Sequence, residues 1–170
     1  MLLRSSECAK QHRQKGAMNM YPAYDLDYGV LQNDHQTVLK YLFRAADSFS
    51  VITTTARPFS EKPALAHDGM LAPLEGHLIK RVVGCRKWPG TETRDTHKVL
   101  CLYTANSRSR DIVSEWGNMF KAPELSLPED ICFYRRGEPF FATVSHERTA
   151  CIMNFTRGDD DFFRKYRKTV

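Results

Sequence analysis

The chain has 170 residues, 42% of them hydrophobic and 26% charged, with a net charge of +5. That length fits one domain with one core, burying roughly 70% of the surface of the unfolded chain. No run approaches the ~20 apolar residues that span a bilayer, and Met1-Leu2-Leu3 runs directly into Arg4, so neither a membrane segment nor a signal peptide is expected and the cytoplasm is the expected compartment.

Residues 1–20 are polar, basic and aperiodic, which predicts a flexible basic arm, with Met18 and Met20 as alternative starts to Met1. A single α+β domain is expected over 21–170. Its first stretch, YPAYDLDYG from Tyr21, is read as irregular chain packed on the domain. The first helix is predicted from about Asp34 to Ala46, with Asn33 as N-cap, Gln36 at the capping-box position, and Val38, Leu39, Leu42 and Phe43 as the apolar stripe. Ser48 to Ala56 is rich in β-branched residues and reads as a strand. Arg57 to Pro73, with three prolines and a glycine, reads as a loop.

Leu74 to Cys85 and His97 to Ala105 predict two strands pairing antiparallel around turn chemistry at Trp88 to Thr96, with a bulge suggested by the doubled pattern Leu78-Ile79, Lys80-Arg81, Val82-Val83. A second helix is predicted from a cap at Ser107 or Ser109 to before Pro123, burying Ile112, Trp116, Met119 and Phe120. ELSLP connects it to a three-strand meander of ICFYR, PFFATVS and ACIMNF, turning at Arg136-Gly137 and at His146 to Thr149. RGDDDFFRKYRKTV places acids before bases, as a short terminal helix prefers, with Phe162 and Tyr166 able to dock. The expected fold is therefore a mainly antiparallel sheet of about five to six strands carrying two main helices and a possible short C-terminal one.

Chemistry-bearing motifs are few. The five cysteines have no CxxC spacing, and Cys101, Cys132 and Cys151 lie in apolar strands as small buried hydrophobes; only Cys85, beside Arg86 and Lys87, has neighbours able to lower a thiol pKa. The six histidines form no HExxH, HxxxH or HxH pattern, and the nine glycines form neither GxGxxG nor GxxxxGK. No metal site, cofactor or phosphate loop is expected.

Three functional readings follow. The leading one is a small intracellular non-enzymatic protein that engages a protein partner, as an immunity or antitoxin-type inhibitor or an accessory subunit does, with Trp116 and Tyr134 as candidate contact aromatics. The second is nucleic-acid binding through the basic hairpin 76–110, where Lys80, Arg81, Arg86, Lys87, Arg94, Lys98, Arg108 and Arg110 stand against two acidic residues, with Trp88 and Tyr103 interleaved for stacking. The third is hydrolase-type chemistry using His146 with Glu129, Asp130 or Glu147, opposed by the simpler expectation that His146-Glu147 is the solvated tip of a hairpin.

Overall fold

A computed structural model describes residues 23–57, 64–120 and 127–169. The proposed arm at 1–20, its alternative starts and most of the ELSLP connector lie outside the described residues. The class is α+β. Seven strands form one antiparallel sheet: β1 Tyr24–Leu26, β2 Ser48–Thr54, β3 Leu78–Val83, β6 Lys98–Thr104, β7 Glu129–Arg135, β8 Glu138–Val144 and β9 Thr149–Ile152, in the order β1-β9-β8-β7-β2-β6-β3. A separate two-strand ribbon, β4 Lys87–Trp88 and β5 Thr91–Glu92, sits in the β3–β6 connection. The α-helices among the described residues are α1 Tyr28–Asn33, α2 His35–Ala45, α3 Asp68–Leu71, α4 Ser107–Glu115 and α5 Arg157–Phe163.

The strand number is thus above the expected five to six, and the surplus comes from short pieces. The Tyr21 stretch is not irregular: Tyr24, Asp25 and Leu26 pair with Ile152, Cys151 and Ala150, making a sheet edge. Asp27 then caps α1 through Val30 N–H, so Asn33 ends that helix instead of capping the next. Asp34 stands at the start of α2 without a side-chain cap bond, because its Oδ2 takes Tyr166 and Lys165 from the C-terminal segment. The loop 57–73 likewise contains α3, and Leu74 lies in a tight turn over Ala72–His77 before β3 begins.

β2 is an interior strand of the sheet, between β6 and β7. Its alternation sends Phe49 and Val51 to the helical face and Ser50 and Ile52 to the other, while pairing Phe49 with Tyr103 of β6 on one side and Phe133 of β7 on the other. Onto the first face α2 lays Val38, Leu39, Leu42 and Phe43, α4 adds Val113, and α5 adds Phe163. Phe43, Phe49, Phe133, Phe141 and Phe163 run across this layer as edge-to-face and stacked rings with centroids 4.9–6.2 Å apart. Each such buried ring contributes about 1.5–3 kcal/mol by leaving water, so this face dominates the stability.

The second face is not simply solvated, so strands β7 to β9 do not alternate between wet and dry. Cys132, Ala142, Cys151 and Met153 form one buried patch there, and the β4–β5 ribbon folds Trp88 and Cys85 over Ile52 to make another. Cys101, Cys132 and Cys151 are buried as expected, and so is Cys85, whose Sγ lies 3.4 Å from the Lys87 carbonyl. No disulfide links the described cysteines.

The expected bulge is present between Leu78 and Lys80 in the β3–β6 ladder, and it turns Ile79 outward. The turn at Arg136-Gly137 has φ of 53° and 78°, the left-handed pair that a tight hairpin with native twist requires. Helix α4 is capped by Asn106, with Ser109 closing a reciprocal capping box, one residue upstream of the expected cap. It stops at Glu115, short of Pro123, because Gly117 adopts φ +86°; Met119 and Phe120 reach the core from beyond the helix. Thr156 and Asp159 form a second reciprocal box at α5, which docks Phe163 and Tyr166 fully into the core. Among the described residues no helix is long and apolar enough to cross a membrane.

Candidate functional site

The turn between β8 and β9 is a single tight helical turn, Ser145–Glu147, closed by Arg148 in the left-handed conformation at φ 51°. Its two named chemical groups diverge from the hydrolase expectation. His146 is exposed, and its one carboxylate neighbour in an ion pair is Glu147, 3.9 Å away at the edge of contact. Glu129 is committed elsewhere, accepting Lys98 Nζ at 2.9 Å.

Asp130 is the unusual residue of this rim. It is 2% exposed and has φ 49°, a conformation that Asp tolerates better than most side chains. Its Oδ1 accepts the Ser145 N–H at 2.7 Å, its Oδ2 accepts Trp88 Nε1–H at 2.8 Å, and its own N–H donates to Ser145 Oγ at 3.0 Å. Burial pushes the carboxyl up from its ordinary range, while the Ser145 and Trp88 bonds and the nearby His146 pull it back. One side chain thus ties together the start of β7, the β8–β9 turn and the ribbon that covers the second face. With both carboxylate oxygens engaged by buried protein donors, Asp130 is arranged as a clamp and not as a group presented to a substrate.

The clamp has a neighbour that the sequence reading missed. Tyr28, at the start of α1, is buried, its hydroxyl approaches Ser145 without a hydrogen bond of normal geometry, and burial lifts its pKa to about 12. Its position became visible only with the β1–β9 pairing, because no local spacing relates Tyr28 to Ser145.

The eight basic residues of 76–110 do not share a face. Arg81 stands on the helical side of β3 opposite Cys101 and meets Glu75 at 2.5 Å. Arg108 and Arg110 belong to α4 on that side, with Arg110 against Asp111 at 2.7 Å. Lys80 and Lys98 project to the other side, opposite Leu102 and Thr54. Lys87 lies 3.8 Å from Glu92 in the ribbon, and Arg86 and Arg94 flank it, exposed. The aromatics proposed for stacking are withdrawn from solvent, Trp88 at 6% exposure and Tyr103 at 0%. Four of the eight cations are therefore matched by carboxylates, and the remainder are divided between two surfaces.

Trp116 and Tyr134 are similarly separated. Trp116 packs half-buried against the helical-face core, whereas Tyr134 lies on the opposite face with its hydroxyl 3.0 Å from Ser50 Oγ. Among the described residues no group of three or more His, Cys, Asp or Glu could hold a metal ion.

The hairpin-tip reading makes a direct prediction. His146→Ala is expected to change unfolding stability by no more than ~0.5 kcal/mol, as for a surface residue without special contacts. Chemical denaturation checks it, and a loss several times larger would show that His146 supports the turn.

Compared with known proteins, the chain matches no family model, no curated protein and no solved structure.

Proposed function

We propose that the protein is a non-enzymatic binding module that engages a protein partner, in the manner of an inhibitor or accessory subunit, and that edge strand β3 is the contact. The supporting observation is the asymmetry of the sheet's two edges. At the β1 edge the C-terminal segment closes the strand: Leu26 bridges Arg167, Asp27 N–H donates to Tyr166 O at 2.7 Å, and Lys168 N–H donates to Asp25 O at 3.0 Å. At the β3 edge the strand pairs only with β6 among the described residues, and Ile79, 54% exposed, stands on it.

An open strand edge offers main-chain donors and acceptors to an incoming strand, and exposed side chains on the edge set its specificity. Lys80 beside Ile79 favours a partner strand that carries an apolar residue and a carboxylate in adjacent register. The clamp role of Asp130 and the exposure of His146 leave the enzymatic alternative without a positioned acid–base pair.

Ile79→Glu tests this reading. Affinity capture from the source cells, followed by native mass measurement, should recover a stoichiometric complex with the unaltered protein. The variant should bind about tenfold more weakly or less, at unchanged melting temperature. Recovery of only free monomer with the unaltered protein, or equal capture by both, would overturn the assignment.

A further inference from the structure

A cleft of about 300 Å³ opens at the opposite end of the sheet from β3, between β1, the first turn of α1, the start of β9 and the C-terminal segment. That volume is at the lower end of small-molecule sites. Its walls carry both signs of charge: Asp25 and Asp27 on one strand and its following turn, Arg148 from the β8–β9 turn and Lys168 from the C-terminal segment, with Tyr28 and Gln32 between them.

Two properties distinguish this cleft from an ordinary charged surface. First, none of the four charged side chains forms a salt bridge within 4.0 Å among the described residues, although cations and carboxylates line one small space. Elsewhere on the protein some close charges do pair, as Lys98 with Glu129 and Arg135 with Asp159 do. Second, Tyr28 in the wall is 7% exposed and its buried hydroxyl has no hydrogen-bond partner, which is uncommon for a buried polar atom. Asp25 is half-buried, and burial raises its carboxyl while Lys168 draws it back down. Asp27 has one oxygen committed to capping Val30, whereas Asp25 has no side-chain hydrogen bond among the described residues.

Charges of opposite sign that are not in salt bridges suit a ligand that itself carries both signs a short distance apart. A dianion would meet Asp25, and a polyamine would meet Arg148 and Lys168. We propose that this cleft binds a free α-amino acid, with its carboxylate taken by Arg148 and its ammonium by Asp25.

The planar guanidinium of Arg148 matches a carboxylate with two parallel donors. The Gln32 amide on the wall favours a polar side chain on the ligand.

Ligand-observed NMR and calorimetry at neutral pH test the proposal, with each of the proteinogenic L-amino acids as probes. L-Glutamine is compared with 4-carbamoylbutanoate, which lacks the ammonium, and with 4-aminobutanamide, which lacks the carboxylate. At least one amino acid should bind with a millimolar or tighter Kd, and loss of either charge from the ligand should weaken binding by about tenfold or more. Arg148→Met and Asp25→Asn should each produce a loss of similar size, with the far-ultraviolet circular dichroism of both variants unchanged. Ile79→Glu should bind the amino acid as the unaltered protein does, which separates this site from the β3 contact. No binding by any amino acid at about 10 mM, equal binding of the singly charged analogues, or binding that survives both cleft variants would overturn the proposal.

Discussion

Asp159→Ala is expected to destabilise the protein by about 3–5 kcal/mol, the cost typical of breaking a buried ion pair from one side. Asp159 is 1% exposed and accepts five hydrogen bonds: two from the Arg135 guanidinium at 2.8 and 2.9 Å, one from Tyr41 hydroxyl at 2.8 Å, and two from Thr156 N–H and Oγ–H at 2.7 Å. The carboxylate therefore joins α2, β7 and the first turn of α5. Removing it leaves Arg135, whose Nε is held by the Ala45 carbonyl and whose guanidinium lies 4.4 Å from the Phe140 ring centre, partly buried without its carboxylate. Urea denaturation measures the loss. A change below about 1 kcal/mol would mean that water replaces the carboxylate at little cost, and the hub would not be a principal support.

The same group sets part of the acid sensitivity. Burial alone would raise its pKa, but the bonds from Arg135, Thr156 and Tyr41 outweigh burial and hold it at about 2. A carboxyl lowered in the folded state contributes stability that is complete above its unfolded value near 4 and is lost as pH falls through the folded value. The expected loss from this group between about pH 5 and pH 2 is on the order of 2 kcal/mol. In Asp159→Asn that part of the acid limb should flatten, because the titrating group is gone.

Local patterning made α2, β2, the β3–β6 pair, the meander and α5 legible because each carries its own periodicity or turn residues. The Val38, Leu39, Leu42, Phe43 stripe specifies a helix face whether or not its start is correctly placed, and the start was misplaced because Asp34 answers to Tyr166, 132 residues away. The three residues of β1 are too short to show alternation, so only their pairing with β9 defines them as a strand. Burial on both faces of β8 and β9 reads in sequence as a plain apolar run, which does not say what covers each side.

The candidate site was legible as residue names but not as roles. Glu129, Asp130, His146 and Glu147 do gather at one rim of the sheet. Their separation into an ion pair with Lys98, a buried clamp and an exposed tip depends on the β4–β5 ribbon reaching back with Trp88, a contact between residues 42 positions apart. The basic stretch shows the converse. Its charges are adjacent in sequence, yet strand alternation and the ribbon's fold distribute Lys80 and Arg81 to opposite sides.

Asp130→Ala is expected to cost about 3 kcal/mol, within the range for breaking a buried hydrogen-bond network. The Ser145 N–H and Trp88 Nε1–H would both be left buried without an acceptor, at about 1–3 kcal/mol each before relaxation, and alanine would also occupy the φ of 49° with its own steric penalty. Asp130→Asn retains one carbonyl oxygen and a side chain tolerant of that backbone, but it turns an amide N–H₂ toward one of the two donors. Its expected loss is roughly half that of alanine. The acid dependence runs opposite to that of Asp159: a carboxyl raised by burial opposes stability above its folded pKa, and that penalty is relieved as pH falls through it. Urea titrations in a Trp116→Phe background let Trp88 fluorescence report the ribbon and circular dichroism report the sheet. The clamp predicts that in Asp130→Ala the ribbon signal is lost at lower urea than the sheet signal, whereas coincident transitions with a loss below about 1 kcal/mol would show that Asp130 does not hold the ribbon to the sheet.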